Sequence, residues 1–124
     1  MNRTKKIKVK RIIKGHGYHE KRRCKFECDE SIHEGIKWLN KHGYYTLACC
    51  SGMKEDHEGR DQDELYVIFD VLRSNMVCLI EDIANEMGFE TKIRDDKDII
   101  EIRTTSDNRL EMFETFVKKL KSAF

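Results

Sequence analysis

Cys49-Cys50-Ser51-Gly52 sets two thiols, a hydroxyl and an unhindered backbone side by side, directly after the apolar stretch Tyr44–Cys49. A strand end of this kind holds polar groups on a rigid support, which suits binding or catalysis. Two further residues could work with it. Asp29 precedes a helical pattern, and His57 lies in the loop that follows the glycine. A carboxylate and an imidazole can each accept a proton, so Asp29 and His57 could serve a reaction that needs such a group. Cys49, Cys50, Ser51 and Gly52 are the candidate ligand-binding turn, where backbone N–H groups could meet a carboxylate. Each residue also has a plain reading: a buried thiol pair, an acid favouring a helix dipole, and a solvated loop histidine. Cys24, Cys28, Cys49, Cys50 and His57 are enough soft donors for zinc. Their spacing contains no C-x-x-C knuckle, and adjacent strand residues point to opposite faces. No metal is therefore expected, and structural zinc stays a minor variant. Cys78, on a helix, reads as a packing residue.

Periodicity supplies the elements that would position these groups. Ile7, Val9 and Ile12-Ile13 alternate with cations, giving a first strand over residues 6–13 near a sheet edge. Gly15–His19 reads as a loop, and Phe26–Cys28 as a short extended piece. Ser31 with Glu34 offers a capping box for a helix whose stripe is Ile32, Ile36 and Leu39. Gly43 closes that helix, and the strand Tyr44–Cys49 follows. Leu65–Asp70 is apolar on both faces, as a buried strand should be. Ser74 and Gly88 bound a second helix carrying Val77, Ile80, Ala84 and Met87. Phe89–Arg94 and Asp98–Thr104 form a hairpin about Asp95-Asp96-Lys97. Thr105 or Ser106 caps a last helix with Leu110, Phe113, Val117, Leu120 and Phe124 on its stripe. The order β-α-β-β-α-β-β-α predicts an α+β fold: one mixed sheet carrying three helices, ferredoxin-like or a related two-layer sandwich. Tyr44–Cys49 and Leu65–Asp70 should be its central strands. Two helix-strand-strand units in succession hint at internal repetition.

At 124 residues, 39% hydrophobic and 38% charged, the chain fits a single domain, residues 1–124, with a heavily charged surface. No apolar run is long enough to span a membrane, and no signal-peptide core is visible. Five cysteines, an odd number, make a poor disulfide framework, so a reducing cytoplasmic location is expected. The net charge of +1 conceals an uneven distribution. Residues 1–25 hold eleven of the 24 Lys and Arg but only one of the 23 acids, Glu20; the rest carries 13 cations against 22 anions. A basic arm on an acidic body is expected where one surface meets a polyanion. Lys5, Lys6, Lys8, Lys10, Arg11, Arg22 and Arg23 are the candidate nucleic-acid contacts. The plainer reading is that they protect an edge strand from aggregation.

Asp29-Glu30, Ile32, Ile36, Leu39-Asn40, Tyr44-Tyr45-Thr46 and Cys49-Cys50-Ser51-Gly52 together resemble the opening region of the wybutosine-synthesising tRNA methyltransferase family. That family shows an acid before a helix, an Asn at its end, two aromatics, then a run of small hydroxyl and thiol residues ending in Gly-Arg. The resemblance covers about residues 29–53. It implies tRNA as partner, S-adenosylmethionine as cofactor and N-methylation of a modified guanine, with Asp29 and His57 catalytic and residues 49–52 at the cofactor. Leu47 and Ala48 stand where the family has hydroxyl residues, and Met53 where it has an arginine. An RNA-associated protein of this kind, with or without activity, is the leading expectation. The alternative is a non-enzymatic module that binds a ligand or a protein through the strand-end cleft.

Overall fold

Arg22, Cys24, Phe26 and Cys28 alternate with Lys21, Arg23, Lys25 and Glu27, a period of two that a strand satisfies and a helix cannot. The computed structural model describes residues 3–15, 18–57, 63–94 and 98–123. In it the first two strands, β1 (Thr4–Gly15) and β2 (Tyr18–Asp29), form a long antiparallel hairpin. The first strand is therefore longer than residues 6–13, and the short piece at Phe26–Cys28 is the end of a twelve-residue strand. Gly15, Tyr18 and His19 belong to these strands rather than to a loop; His16 and Gly17 lie outside the described residues.

Four more strands follow: β3 (Thr46–Cys50), β4 (Leu65–Asp70), β5 (Glu90–Ile93) and β6 (Ile99–Thr104). They form a second sheet in the order β3-β4-β6-β5, antiparallel at every pairing. The fold is α+β, as expected, but its strands divide into two antiparallel sheets instead of one mixed sheet. Three helices, α1 (His33–Lys41), α2 (Ser74–Met87) and α3 (Arg109–Ser122), complete it. The added strand makes the order three successive hairpin-then-helix units. β4 is interior, as its apolarity demanded, whereas β3 is an edge of the four-stranded sheet. Tyr44 and Tyr45 precede β3 and are buried, while Leu47 and Ala48 within it are exposed. The apolar character of residues 44–49 thus reflects burial at the strand's entry, not a central position.

The core lies between the helices and one sheet face. Leu65, Val67 and Phe69 of β4 stand opposite Thr104, Ile102 and Ile100 of β6. Ile80, Phe113 and Phe116 join them in one buried cluster. The inner face of the hairpin adds Ile7 and Cys28 above Ile32, Ile36 and Leu39. Burying each large aliphatic side chain stabilises the fold by about 1.5–3 kcal/mol. α1 and α3 approach closely at Gly35, where a Cβ would sit 2.5 Å from Phe113 Cε2.

The helix starts differ from the capping expectations. A 3-10 turn at Glu30–Ile32 precedes α1, and Ser31 makes no side-chain cap. Ser74 is the first residue of α2, and α3 begins at Arg109 after Asn108. Gly43 and Gly88 do take positive φ just beyond α1 and α2. The turn at residues 95–97 and the stripe position at Phe124 lie outside the described residues.

Candidate functional site

β2 ends at Asp29 and β3 ends at Cys50, and the two ends meet. The Ser51 N–H donates to Asp29 Oδ2 at 2.8 Å. His57 follows a 3-10 turn at Lys54–Asp56, and its Nε2 lies 2.9 Å from the same Asp29 oxygen. Cys50 Sγ is 3.5 Å from that same Nε2. Asp29, Cys50, Ser51 and His57 are thus gathered at one place, as the residue types suggested. Cys49 is not with them. It stands opposite Val67 on β4 and lines a groove with Cys24, Phe26 and Leu47.

Gly52 has φ +66, a conformation in which a side chain is strained. A Cβ there would also sit 2.5 Å from the carbonyl carbon of Glu64. The close backbone approach expected of a ligand at Gly52 is therefore made by the chain itself. A β-branched residue at 52 would test folding rather than ligand binding.

Two residues of this site were not anticipated from sequence. Asp56 is only 1% exposed although it lies in an acid-rich loop. Its Oδ2 accepts from Ser51 Oγ at 2.7 Å and from the Ser31 N–H at 3.3 Å. Ser51 Oγ in turn accepts from the Met53 N–H at 3.1 Å. Arg109, at the start of α3, donates from Nε to Gly52 O at 2.9 Å and so ties the turn to the last helix. The N-terminus is also drawn in, since the Arg3 N–H donates to Asp56 O and Arg3 O accepts from the Glu30 N–H, both at 3.0 Å. Burial, reinforced by the Asp29 and Asp56 charges, pushes the Cys50 thiol up, and a hydrogen bond from the Gly52 backbone opposes this only in part. A thiol so placed is a weak nucleophile on its own.

The candidate nucleic-acid residues divide by the pleat of the hairpin. Pairing sets Lys6 opposite Glu27, Lys8 opposite Lys25, Lys10 opposite Arg23 and Ile12 opposite Lys21. Directly opposed residues share a face, so Lys6, Lys8, Lys10, Lys21, Arg23 and Lys25 all stand on one face, and all six are exposed. Lys21 and Lys25 extend the expected set; the alternation of residues 21–27 was the signal for them.

Lys5, Arg11 and Arg22 point the other way. Lys5 pairs with Glu30 at 3.7 Å, and Arg22 with Glu20 at 3.3 Å. Arg11 is half-buried and turned onto the body of the protein instead of the outer face. Its Nη2 donates to Asn40 Oδ1 at 2.6 Å and to Thr46 O at 3.1 Å. The guanidinium also lies over the rings of Phe26 and Tyr45. Burial lowers its pKa against the raising effect of nearby acidic groups. Asn40 is fully buried; its amide reaches Ile36 O at 2.8 Å and Thr46 Oγ1 at 3.1 Å, and its Oδ1 also accepts the Thr46 N–H. Arg11 and Asn40 together dock the hairpin onto the entry of β3.

Compared with protein-family models, curated proteins and solved structures, the chain matches none.

Proposed function

We propose that this chain binds RNA through the outer face of the β1–β2 hairpin. One observation carries the reading: Lys8 faces Lys25 and Lys10 faces Arg23 directly across the strands. Like charges so placed destabilise a hairpin, so their presence is explained by a partner that supplies the neutralising charge. Six cations along one ribbon match a run of phosphates, and Glu27 is the one acid standing opposite any of them in the hairpin register. The resemblance of residues 29–53 to the tRNA methyltransferases favours a structured RNA over DNA as that partner.

The same resemblance carries methyl transfer as a second reading. Asp29 and His57 lie 2.9 Å apart, as a proton-accepting pair would need, and S-adenosylmethionine is the donor it implies.

Titration of the full chain with tRNA, and with duplex DNA as comparison, at a series of salt concentrations tests binding. Affinity for tRNA should fall steeply with salt as counterions are released, and Lys8→Ala with Arg23→Ala should flatten the slope by about one for each lost contact. Repeating the titration with S-adenosylmethionine present reads the second reading. Salt-insensitive binding, or a slope unchanged in the double variant, would overturn the RNA proposal and leave the ligand- or protein-binding module.

A further inference from the structure

The cluster at the end of β2 and β3 has the wrong geometry for a thiol–imidazole–carboxylate relay and the right one for a cation. A relay needs the nucleophile at one imidazole nitrogen and the orienting carboxylate at the other. Here Cys50 Sγ and Asp29 Oδ2 both lie at Nε2 of His57. One nitrogen cannot accept a proton from the thiol while donating one to the carboxylate. Three donors of different type instead converge: His57 Nε2 lies 3.5 Å from Cys50 Sγ and 2.9 Å from Asp29 Oδ2, and a carboxylate oxygen, the sulfur and a ring nitrogen of the three residues all lie within 4.8 Å of one another.

We propose that Asp29, Cys50 and His57 form a three-ligand site for a zinc-class divalent cation, with a fourth coordination position left for water or a ligand oxygen. The distances fit. Tetrahedral zinc, with bonds of about 2.3 Å to sulfur and about 2.0–2.1 Å to nitrogen and oxygen, sets its S and N ligands about 3.6 Å apart; Sγ and Nε2 are 3.5 Å apart here. Its N and O ligands stand about 3.4 Å apart, so Asp29 Oδ2, now 2.9 Å from Nε2, would withdraw by about half an ångström.

The charges fit as well. Asp29 and Asp56 are two buried carboxylates bridged by Ser51, and buried charge of one sign is costly until it is balanced. A divalent ion bound by one carboxylate, one thiolate and a neutral imidazole makes a neutral set, which leaves Asp56 as the one negative charge where the two carboxylates had been. On binding, the Cys50 proton leaves to solvent and the sulfur lone pair goes to the metal. The mixed S, N, O donor set suits zinc or cobalt and not magnesium or calcium, which take oxygen.

The supporting contacts are already made. The Ser51 N–H holds Asp29 Oδ2, and the turn that carries Ser51 is braced by Asp56 and Arg109. Such outer contacts fix ligand orientation in metal sites. Among the described residues three protein ligands converge, the number that zinc sites able to activate water or hold a ligand oxygen use. This site shares no residue with the cationic hairpin face, so it stands or falls separately from RNA binding.

Cobalt titration of the full chain, after treatment with a chelator and dialysis, tests the site. One equivalent should produce a thiolate-to-cobalt charge-transfer band and the intense visible bands of four-coordinate cobalt, and zinc should displace both. Cys50→Ser should abolish the charge-transfer band and weaken zinc binding roughly a hundredfold or more, beyond the outer-contact range, while Cys49→Ser keeps the band. His57→Gln, at the end of a short turn, gives the same reading if Cys50→Ser fails to fold by circular dichroism. Absence of the band in the wild type, or a band that survives both Cys50→Ser and His57→Gln, would overturn the proposal.

Discussion

Cys28 and Cys49 have thiols pushed up from 9.0 to about 12, in both cases chiefly by burial. The charges of Asp29 and Asp56 add to the effect at Cys28, and those of Cys28, Asp29 and Cys50 at Cys49. Between these values the folded chain keeps two protons that the unfolded chain releases. Unfolding then liberates protons, so rising pH favours it. The contribution is complete below the unfolded value and is lost as pH climbs through the folded one. The urea midpoint should therefore fall when pH is raised from about 7 to about 10, and a thiol reagent should label exposed Cys78 well before Cys28 or Cys49. A midpoint that holds level across that range would contradict this account. The gathering of Asp29, Cys50, Ser51 and His57 was expected from what these groups can do chemically and from the resemblance of residues 29–53, with Cys49 wrongly counted among them. The roles of Asp56, Arg11 and Arg109 were not. Each is a charged residue in a charged neighbourhood, and each is fixed in part by a contact 25 or more positions away, to Ser31, Asn40 and Gly52 respectively.

At the level of elements, the hairpin carries a conflict between its stability and its charge. Lys25→Glu would set a carboxylate opposite Lys8 and beside the diagonal cations of β1. An unlike pair in place of a like pair should raise stability by a few tenths to about 1 kcal/mol at low salt, with loss of tRNA affinity. Paired denaturation and binding measurements read both, and a variant that gains neither stability nor weaker binding would remove the conflict. β4, α2 and α3 were readable in sequence, because one-sided stripes and two-sided apolarity leave little choice. β2 was harder: four cations and two acids over residues 20–27 hid the alternation of Cys24, Phe26 and Cys28. The edge position of β3 was not readable at all, since Tyr44 and Tyr45 are buried by α1 and the hairpin rather than by flanking strands.

For the molecule as a whole, the three hairpin-then-helix units are fastened to one another at the turn Ser51–His57. Arg3 and Asp29 of the first unit reach it, and so does Arg109, at the start of α3 and 57 positions from Gly52. Contacts of such separation are costly to close early, so this clasp belongs on the native side of the folding barrier. Ser51→Ala removes the donor to Asp56, a loss of about 1–3 kcal/mol for a buried partner left unsatisfied. In stopped-flow experiments that loss should appear almost wholly as faster unfolding, with the folding rate little changed. A folding rate slowed by the full amount would place the clasp in the nucleus instead. The order of events during synthesis follows from the same feature. The two strands of the hairpin pair with each other and can form as they emerge, but the turn cannot be clamped until the ribosome has passed Arg109. Until then a growing chain holds Asp29, Cys50 and His57 without the bond that fixes their frame, and the chemistry of the site is the last property it acquires.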